Sequence, residues 1–336
     1  MWVSLRLRRF RVLSLGSLMF FIGDRKIFAL APMAGFTNSA CRSIFKEYGA
    51  DVSVSEFVYS RAVLSGAGRV FEKISFSDDC RPIGIQIFGS DEFEMADASK
   101  MIEEKLSPDF IDINFGCPAP NAVNAGAGSA LLKNPKQMCK IVARVSETLK
   151  IPTTAKMRIG WSSDNIIVPD VAVALEQSGA KMISLHGRTK TQGYEGEADW
   201  RLIEVTAQSL SIPLLGNGSV EKLSGEFMRS SACAGFMVGR AALGNPWLFQ
   251  QLKARIDGQD ERPFEPSPKQ RAQLALRYAR TMTAGDYDGI TAENIKFIKT
   301  QVMRFLKNAE GFKRLRVELK NINTIKELEN LLCDYI

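Results

Sequence analysis

The segment Phe110-Ile111-Asp112-Ile113-Asn114-Phe115-Gly116-Cys117-Pro118 reads as a short apolar strand running into a glycine, a cysteine and a proline. Phe110, Ile111 and Ile113 around one Asp112 suit a largely buried strand, predicted over Phe110–Ile113. Gly116 and Pro118 stop it and turn the backbone. Cys117 is thereby left on a loop at a strand's C-terminal end, where a thiol is placed to react; a small residue buried at a turn is the plainer alternative.

The same rhythm repeats on both sides of this segment: an apolar run, a loop with Gly or Pro, an amphipathic helix. Further strands are predicted at Ile27–Ala31, Val52–Glu56, Ile83–Phe88, Thr153–Met157, Met182–Leu185, Pro213–Leu215 and Phe236–Val238. Helices are predicted at Asp91–Lys105, Pro135–Thr148, Ile167–Ser178, Asp199–Ser209 and Ser219–Ser230. Strands alternating with helices imply βαβ units and a parallel sheet. Eight units over roughly 230 residues match an α/β fold of the (β/α)8 TIM-barrel type, whose usual size is about 250 residues. An open doubly wound sheet is the alternative, but Ala31-Pro32-Met33-Ala34-Gly35 after the first strand is no GxGxxG turn.

The 336 residues are 45% hydrophobic and 24% charged, an ordinary globular profile with ample core. The formal net charge of +7 suggests a polyanionic partner. The cysteines at 41, 80, 117, 139, 233 and 333 form no CxxC pair and the chain has one histidine, so neither a zinc nor an iron–sulfur site, nor any other metal site, is expected. Scattered thiols suit a reducing, cytoplasmic setting. At the start, Arg6, Arg8, Arg9 and Arg11 precede an apolar run from Val12 to Ile22. That run is too short to span a bilayer, and no signal cleavage site follows, so no membrane association is expected. A transit peptide or a basic arm are options. The reading adopted is a mis-assigned start with Met19 as first residue, which makes 1–18 an extension outside the fold.

Unusual residues cluster at the C-terminal strand ends, where barrel enzymes build their sites. Pro32, Met33 and Ala34 follow the first strand and Gln86 ends the third. Asn114 and Cys117 follow the fourth, Lys156 and Arg158 the fifth, His186 and Arg188 the sixth. Gly216-Asn217-Gly218-Ser219 and Gly239-Arg240 follow the seventh and eighth. The last two loops suit a phosphate, because glycines let backbone N–H groups approach an anion; two tight turns without a ligand are the alternative. A cofactor phosphomonoester such as FMN fits such a site. Lys156 either faces the edge of a flavin that becomes anionic on reduction, or pairs structurally with Asp112 or Glu56. A protonated thiol at Cys117 can act as a general acid.

Together these residues resemble the tRNA dihydrouridine synthases, and the bacterial B-type branch in particular. The resemblance runs from about Lys26 to the C-terminus. Its motifs are Ala31-Pro32-Met33-Ala34-Gly35, Asn114-Phe115-Gly116-Cys117-Pro118, Gly128-Ser129-Ala130-Leu131-Leu132, Lys156-Met157-Arg158, His186-Gly187-Arg188-Thr189 with Gln192-Gly193-Tyr194 and Ala198-Asp199-Trp200, Gly216-Asn217-Gly218, and Gly239-Arg240 through Asn245-Pro246-Trp247. The resemblance implies FMN, NADPH as reductant, and uridine in tRNA as substrate, with Cys117 protonating C5 of the base after hydride reaches C6. It implies FMN ligands at Pro32, Met33, Ala34, Gln86, Lys156, His186, Asn217, Gly218, Ser219, Gly239 and Arg240, and substrate contacts at Asn114, Arg158 and Arg188. The chain departs from the family at Asn38, where Asp is usual, at Asn121-Ala122-Val123-Asn124, where a basic residue is usual, and at Ser219, where an acid is common.

Arg262-Pro263-Phe264-Glu265-Pro266-Ser267-Pro268 reads as a linker. It divides a catalytic barrel over 19–258 from a helical region over 266–336, with apolar spacing at Ile295, Ile298, Val302, Phe305 and Leu306. From Pro266 onward thirteen Lys or Arg stand against eight Asp or Glu, an excess of five. Lys299, Arg304, Arg314 and Arg316 suit phosphate contacts; a solvated helix face is the alternative, and the family's tRNA-binding tail favours the first. The protein is expected to act as a monomer. A flavin barrel acting on a free pyrimidine, like the dihydroorotate or dihydropyrimidine dehydrogenases, and a tRNA-binding barrel without chemistry are the rival readings. The basic tail speaks against the former, and Cys117 with Lys156 against the latter.

Overall fold

The computed structural model describes residues 25–66, 68–259, 264–283, 292–307 and 312–335. The extension 1–18 and the first part of the predicted linker lie outside the described residues.

Eight parallel strands form the centre: β1 Ile27–Leu30, β2 Val52–Val54, β3 Ile83–Phe88, β4 Phe110–Phe115, β5 Thr153–Arg158, β6 Ile183–His186, β7 Leu214–Asn217 and β8 Gly235–Val238. Each pairs with the next, β8 pairs with β1, and the ring is closed. A two-residue segment, Val58–Tyr59, continues β2 along β3. The pairs Val54↔Gly84 and Val58↔Ile87 set four residues against three, so one residue is bulged at the rim. This is the (β/α)8 barrel, with helices around it and further helices at its C-terminus.

Because the strands are buried on both faces, their sequences are nearly continuous apolar runs. Inside the ring the floor is apolar, with Ile27, Ala29, Val52, Phe110, Met182, Leu215 and Met237 in one cluster. Gly84 makes room for it: a Cβ there would sit 2.1 Å from the Phe110 ring. Above this floor the interior turns polar. Gln86 Nε2 donates to Asp112 Oδ2 at 2.6 Å, and Thr154 Oγ1 donates to Asp112 Oδ1 at 2.6 Å. Both acceptor oxygens of a buried carboxylate are thus satisfied by neutral donors, and burial raises the Asp112 pKa.

Most predicted helices form with ends within a few residues, Pro135–Thr148 without change. Ser219–Ser230 does not form as one helix. A single turn at Val220–Lys222 is followed by a new helix at Gly225–Ser230, capped by Ser224 Oγ on Phe227 N–H at 3.1 Å. Ser219 lies in the left-handed region with φ 51°, and Arg255 takes the carbonyls of Glu221 and Leu223, each at 2.9 Å. Those carbonyls are therefore bonded outside a helix.

The C-terminal helices Pro268–Thr283, Ala292–Phe305, Phe312–Asn321 and Ile325–Tyr335 cover the side of the barrel where β1 meets β8. The predicted spacing is realised: Ile298, Val302, Phe305 and Leu306 are buried in one core with Phe28, Phe236 and Tyr278. Among the described residues no helix is long and apolar enough to cross a membrane, and no group of three His, Cys, Asp or Glu side chains is arranged to hold a metal. All six cysteines are free.

Candidate active site

A cavity of about 530 Å³ opens at the C-terminal ends of the strands. That size is ordinary for a cofactor site. Its lining brings together Pro32, Met33, Ala34, Asn114, Cys117, Lys156, Arg158, His186, Arg188, Asn217, Gly218, Ser219, Gly239, Arg240 and Arg304. All come from the predicted set, which spans more than 270 positions of sequence. Arg304 reaches the mouth from the C-terminal helices, with its guanidinium carbon 4.1 Å from the Phe36 ring centroid.

Cys117 is held by its backbone. Asn114 Oδ1 accepts the N–H groups of Gly116 and Cys117 at 2.9 and 2.8 Å, and Asn114 Nδ2 donates to Gln86 Oε1 at 2.7 Å. On the far side, Ser129 N donates to Cys117 O at 3.0 Å, and Gly128 must be glycine because a Cβ would sit 2.9 Å from that same oxygen. Burial raises the thiol pKa, so Cys117 carries its proton at neutral pH. Such a thiol can give a proton but makes a poor thiolate nucleophile.

Gln86 is not among the lining residues. It is fully buried one layer below, joining Asp112 to Asn114. It therefore supports the loop that carries Cys117.

Lys156 Nζ bonds across the ring, from β5 over β6 to Asn217 Oδ1 on β7, at 3.3 Å. Asn217 Nδ2 is fixed by Met237 O at 2.6 Å. Neither carboxylate considered in the sequence pairs with the lysine. Asp112 is taken by Gln86 and Thr154, and Glu56 accepts Gly35 N–H at 2.9 Å and pairs with Lys73 at 3.4 Å. Burial, with Arg158 nearby, lowers the Lys156 pKa to about 8. The ammonium thus faces the cavity with one weak neutral partner, and it is still charged at neutral pH.

Burial first, and then Lys156, Arg158, Arg188 and Arg240, push the His186 pKa far down, so the imidazole is neutral. Arg188 reaches Ser219 Oγ at 3.0 Å and Gly196 O at 2.7 Å. Arg158 donates to the carbonyls of Gly116, Thr189 and Gly193 between 2.8 and 3.0 Å. Arg240 stacks on Tyr194, 3.8 Å from the ring centroid. Among the described lining residues, one carboxylate, Glu221, stands against this group of cations.

The glycine loops after β7 and β8 meet the cavity in different ways. Gly218 has φ 120°, and a Cβ there would lie 2.7 Å from Ala198 Cβ, so the backbone itself demands glycine. Gly239 has φ −110° and ψ −115°, and a Cβ would meet nothing closer than Ala31 Cβ at 3.7 Å. Its missing side chain leaves open space beside the backbone and beside Arg240. The cations, the open glycine and the lysine fit an anionic, phosphate-bearing ligand.

The other predicted basic residues lie away from the cavity. Lys299 Nζ donates to the carbonyls of Lys320 and Ile322 at 3.0 and 2.6 Å, closing the end of helix Phe312–Asn321. Arg314 is exposed and pairs with Glu318 at 2.8 Å; Arg316 is exposed on the same helix. Sequence reasoning did not assign Phe36, Phe57 or Tyr194 to the site, yet all three line it. Tyr194 was visible only as part of a motif, and the two phenylalanines only as apolar residues near loops.

A closed parallel barrel with this polar, cationic C-terminal rim is an enzyme-type (β/α)8 scaffold. The family model described as dihydrouridine synthase (Dus) matches residues 29–335. A probable tRNA-dihydrouridine synthase of Aquifex aeolicus (strain VF5) is 35% identical over 307 residues, covering 89% of this chain and 92% of the relative. The tRNA-dihydrouridine synthase B of Pseudomonas syringae pv. tomato (strain ATCC BAA-871 / DC3000) is 34% identical over 264 residues, 78% of each chain. The chain belongs to the dihydrouridine synthase family.

Proposed function

We propose that the protein reduces uridine in tRNA to 5,6-dihydrouridine with FMN as cofactor and NADPH as reductant. The observation that carries this reading is Cys117, a protonated thiol fixed at the wall of a cationic cavity. When bound, FMN supplies the hydride that adds to C6 of the uracil ring. Pro32, Met33 and Ala34 would hold the cofactor on one side of the cavity, and Asn217, Gly218, Ser219, Gly239 and Arg240 would hold its phosphate. Lys156 holds a positive charge where reduction creates a negative one. His186, being neutral, takes part as a hydrogen-bonding group. Cys117 holds the proton that C5 needs once its double bond is reduced.

The target base must leave its stack to reach the cavity. Phe36, Phe57 and Tyr194 offer aromatic faces at the mouth, and Asn114, Arg158 and Arg188 polar ones. The C-terminal helices, as a tRNA-binding region over 266–336, supply the sequence-independent grip through exposed residues such as Arg314 and Arg316, while Arg304 reaches the cavity itself. Free thiols support a reducing, cytoplasmic setting.

The test is direct. Released cofactor should chromatograph as FMN, and the loaded enzyme with NADPH should form dihydrouridine in tRNA but not from free uridine or orotate. Turnover of the free pyrimidine alone would establish the rival reading.

A further inference from the structure

The rim carries a second basic feature, away from the cofactor loops. Trp161 stands in the loop after β5, and two lysines share its ring. Lys133 Nζ lies 3.7 Å from a ring centroid and Lys190 Nζ 4.4 Å. Among the described residues neither ammonium pairs with a carboxylate or donates a hydrogen bond. Asp164, on the same loop, is bonded to Ser163 Oγ instead. Two ammonium groups without an anionic partner, gathered at one indole, offer a phosphate group two charged donors.

The arrangement is braced by backbone. Lys190 N donates to Gly160 O at 3.0 Å and Thr191 N to Trp161 O at 2.9 Å, which ties the loops after β5 and β6 together. Gly160 is required there, since a Cβ would sit 2.0 Å from Asn165 O. Lys133 ends the turn Gly128–Lys133, the turn that holds Cys117 O through Ser129. The same segments therefore carry this cluster and the site residues Cys117, Arg158 and Arg188.

Its position around the ring matters. In an eight-stranded ring β5 lies opposite β1, and the C-terminal helices cover the β1–β8 side. Arg304, from the C-terminal helices, and this cluster thus stand on opposite sides of the strand ring. We propose that Lys133, Trp161 and Lys190 form a second contact for the phosphodiester backbone of tRNA, on the side of the target nucleotide away from the C-terminal helices. This rests on the reading of tRNA as substrate. Holding the strand on both sides of one nucleotide offsets the cost of unstacking it.

The experiment uses the full-length, flavin-loaded protein. A Lys133→Gln/Lys190→Gln double variant is compared with Lys150→Gln/Lys181→Gln, which removes two exposed lysines at the N-terminal ends of β5 and β6. tRNA affinity is titrated against salt. The first variant should bind about tenfold more weakly, with a log–log salt slope smaller by about 0.7–0.9 per lost phosphate contact. Its flavin spectrum should not change, and the control should stay near wild type. Equal losses in both variants would show a general charge effect and overturn the contact. Unchanged affinity and slope in the first variant, with wild type still forming dihydrouridine, would overturn the contact and leave the substrate reading standing. A wild-type protein that neither binds nor reduces tRNA would overturn both.

Discussion

The side-chain carbonyl of Asn114 accepts the backbone N–H of Cys117 at 2.8 Å, and the opposite end of the same amide is held by Gln86 at 2.7 Å. The backbone that carries the thiol is therefore tied to the barrel interior, through Gln86 and Asp112, as well as to the turn at Ser129. A carboxamide suits this place because it accepts on one side and donates on the other.

Replacing Cys117 with alanine should leave flavin content and flavin reduction by NADPH intact while slowing uridine reduction about 10²–10⁴-fold, the usual cost of losing a placed general acid. A general acid works protonated, and burial raises the Cys117 pKa. Wild-type single-turnover rates with pre-reduced enzyme should hold through neutral pH and fall only above the ordinary thiol range. A rate that already falls from pH 6 to 8 would point to another proton donor.

Lys156 offers a test that does not need activity. Its folded-state pKa of about 8 lies below the ordinary 10.5, so between those values the unfolded chain binds the extra proton. The flavin-free protein should gain stability as pH rises through that window. Lys156→Met should flatten that rise and stabilise the flavin-free protein by about 1–3 kcal/mol at neutral pH, while weakening flavin binding. Denaturant unfolding of flavin-free samples across pH 7–10 measures both effects.

In Gly239→Ala the new methyl meets no protein atom closer than 3.7 Å, yet the variant should lose flavin occupancy, because the methyl intrudes on the open space at that loop. Gly218→Ala should instead lower stability, by about 1–3 kcal/mol, through its φ of 120° and the contact with Ala198. Thermal melting and flavin absorbance on the two variants separate a ligand cradle from a backbone constraint.

The C-terminal helices hold the loop after β1. Gln301 Nε2 donates to Gly35 O at 2.7 Å, and Asn38 Nδ2 donates to Tyr278 OH at 2.9 Å. Gln301→Ala should cost about 1 kcal/mol in the placement of that loop, or about fivefold in flavin affinity. Equilibrium titration of flavin-free protein with FMN reads it; an unchanged affinity would show that the loop keeps its shape without the helices.

Much of this protein was legible along the chain because its information is local. Parallel strands buried on both faces read as apolar runs, and the turns that end them often hold glycine or proline, so a strand could be placed at Phe110–Ile113, which runs on to Phe115, and the strand-end residues Cys117, Lys156 and Arg240 assigned to one rim. The break in the predicted helix after Ser219 was not legible, since Arg255 takes the carbonyls involved from 32 and 34 residues away. Nor was the placing of Gln86 beneath the cavity, of Lys299 on helix carbonyls, or of Lys133 and Lys190 on one indole ring. Sequence periodicity fixes which face of an element is buried. Which polar groups then meet depends on how strands and loops far apart in the chain are brought side by side, and only the closed barrel decides that.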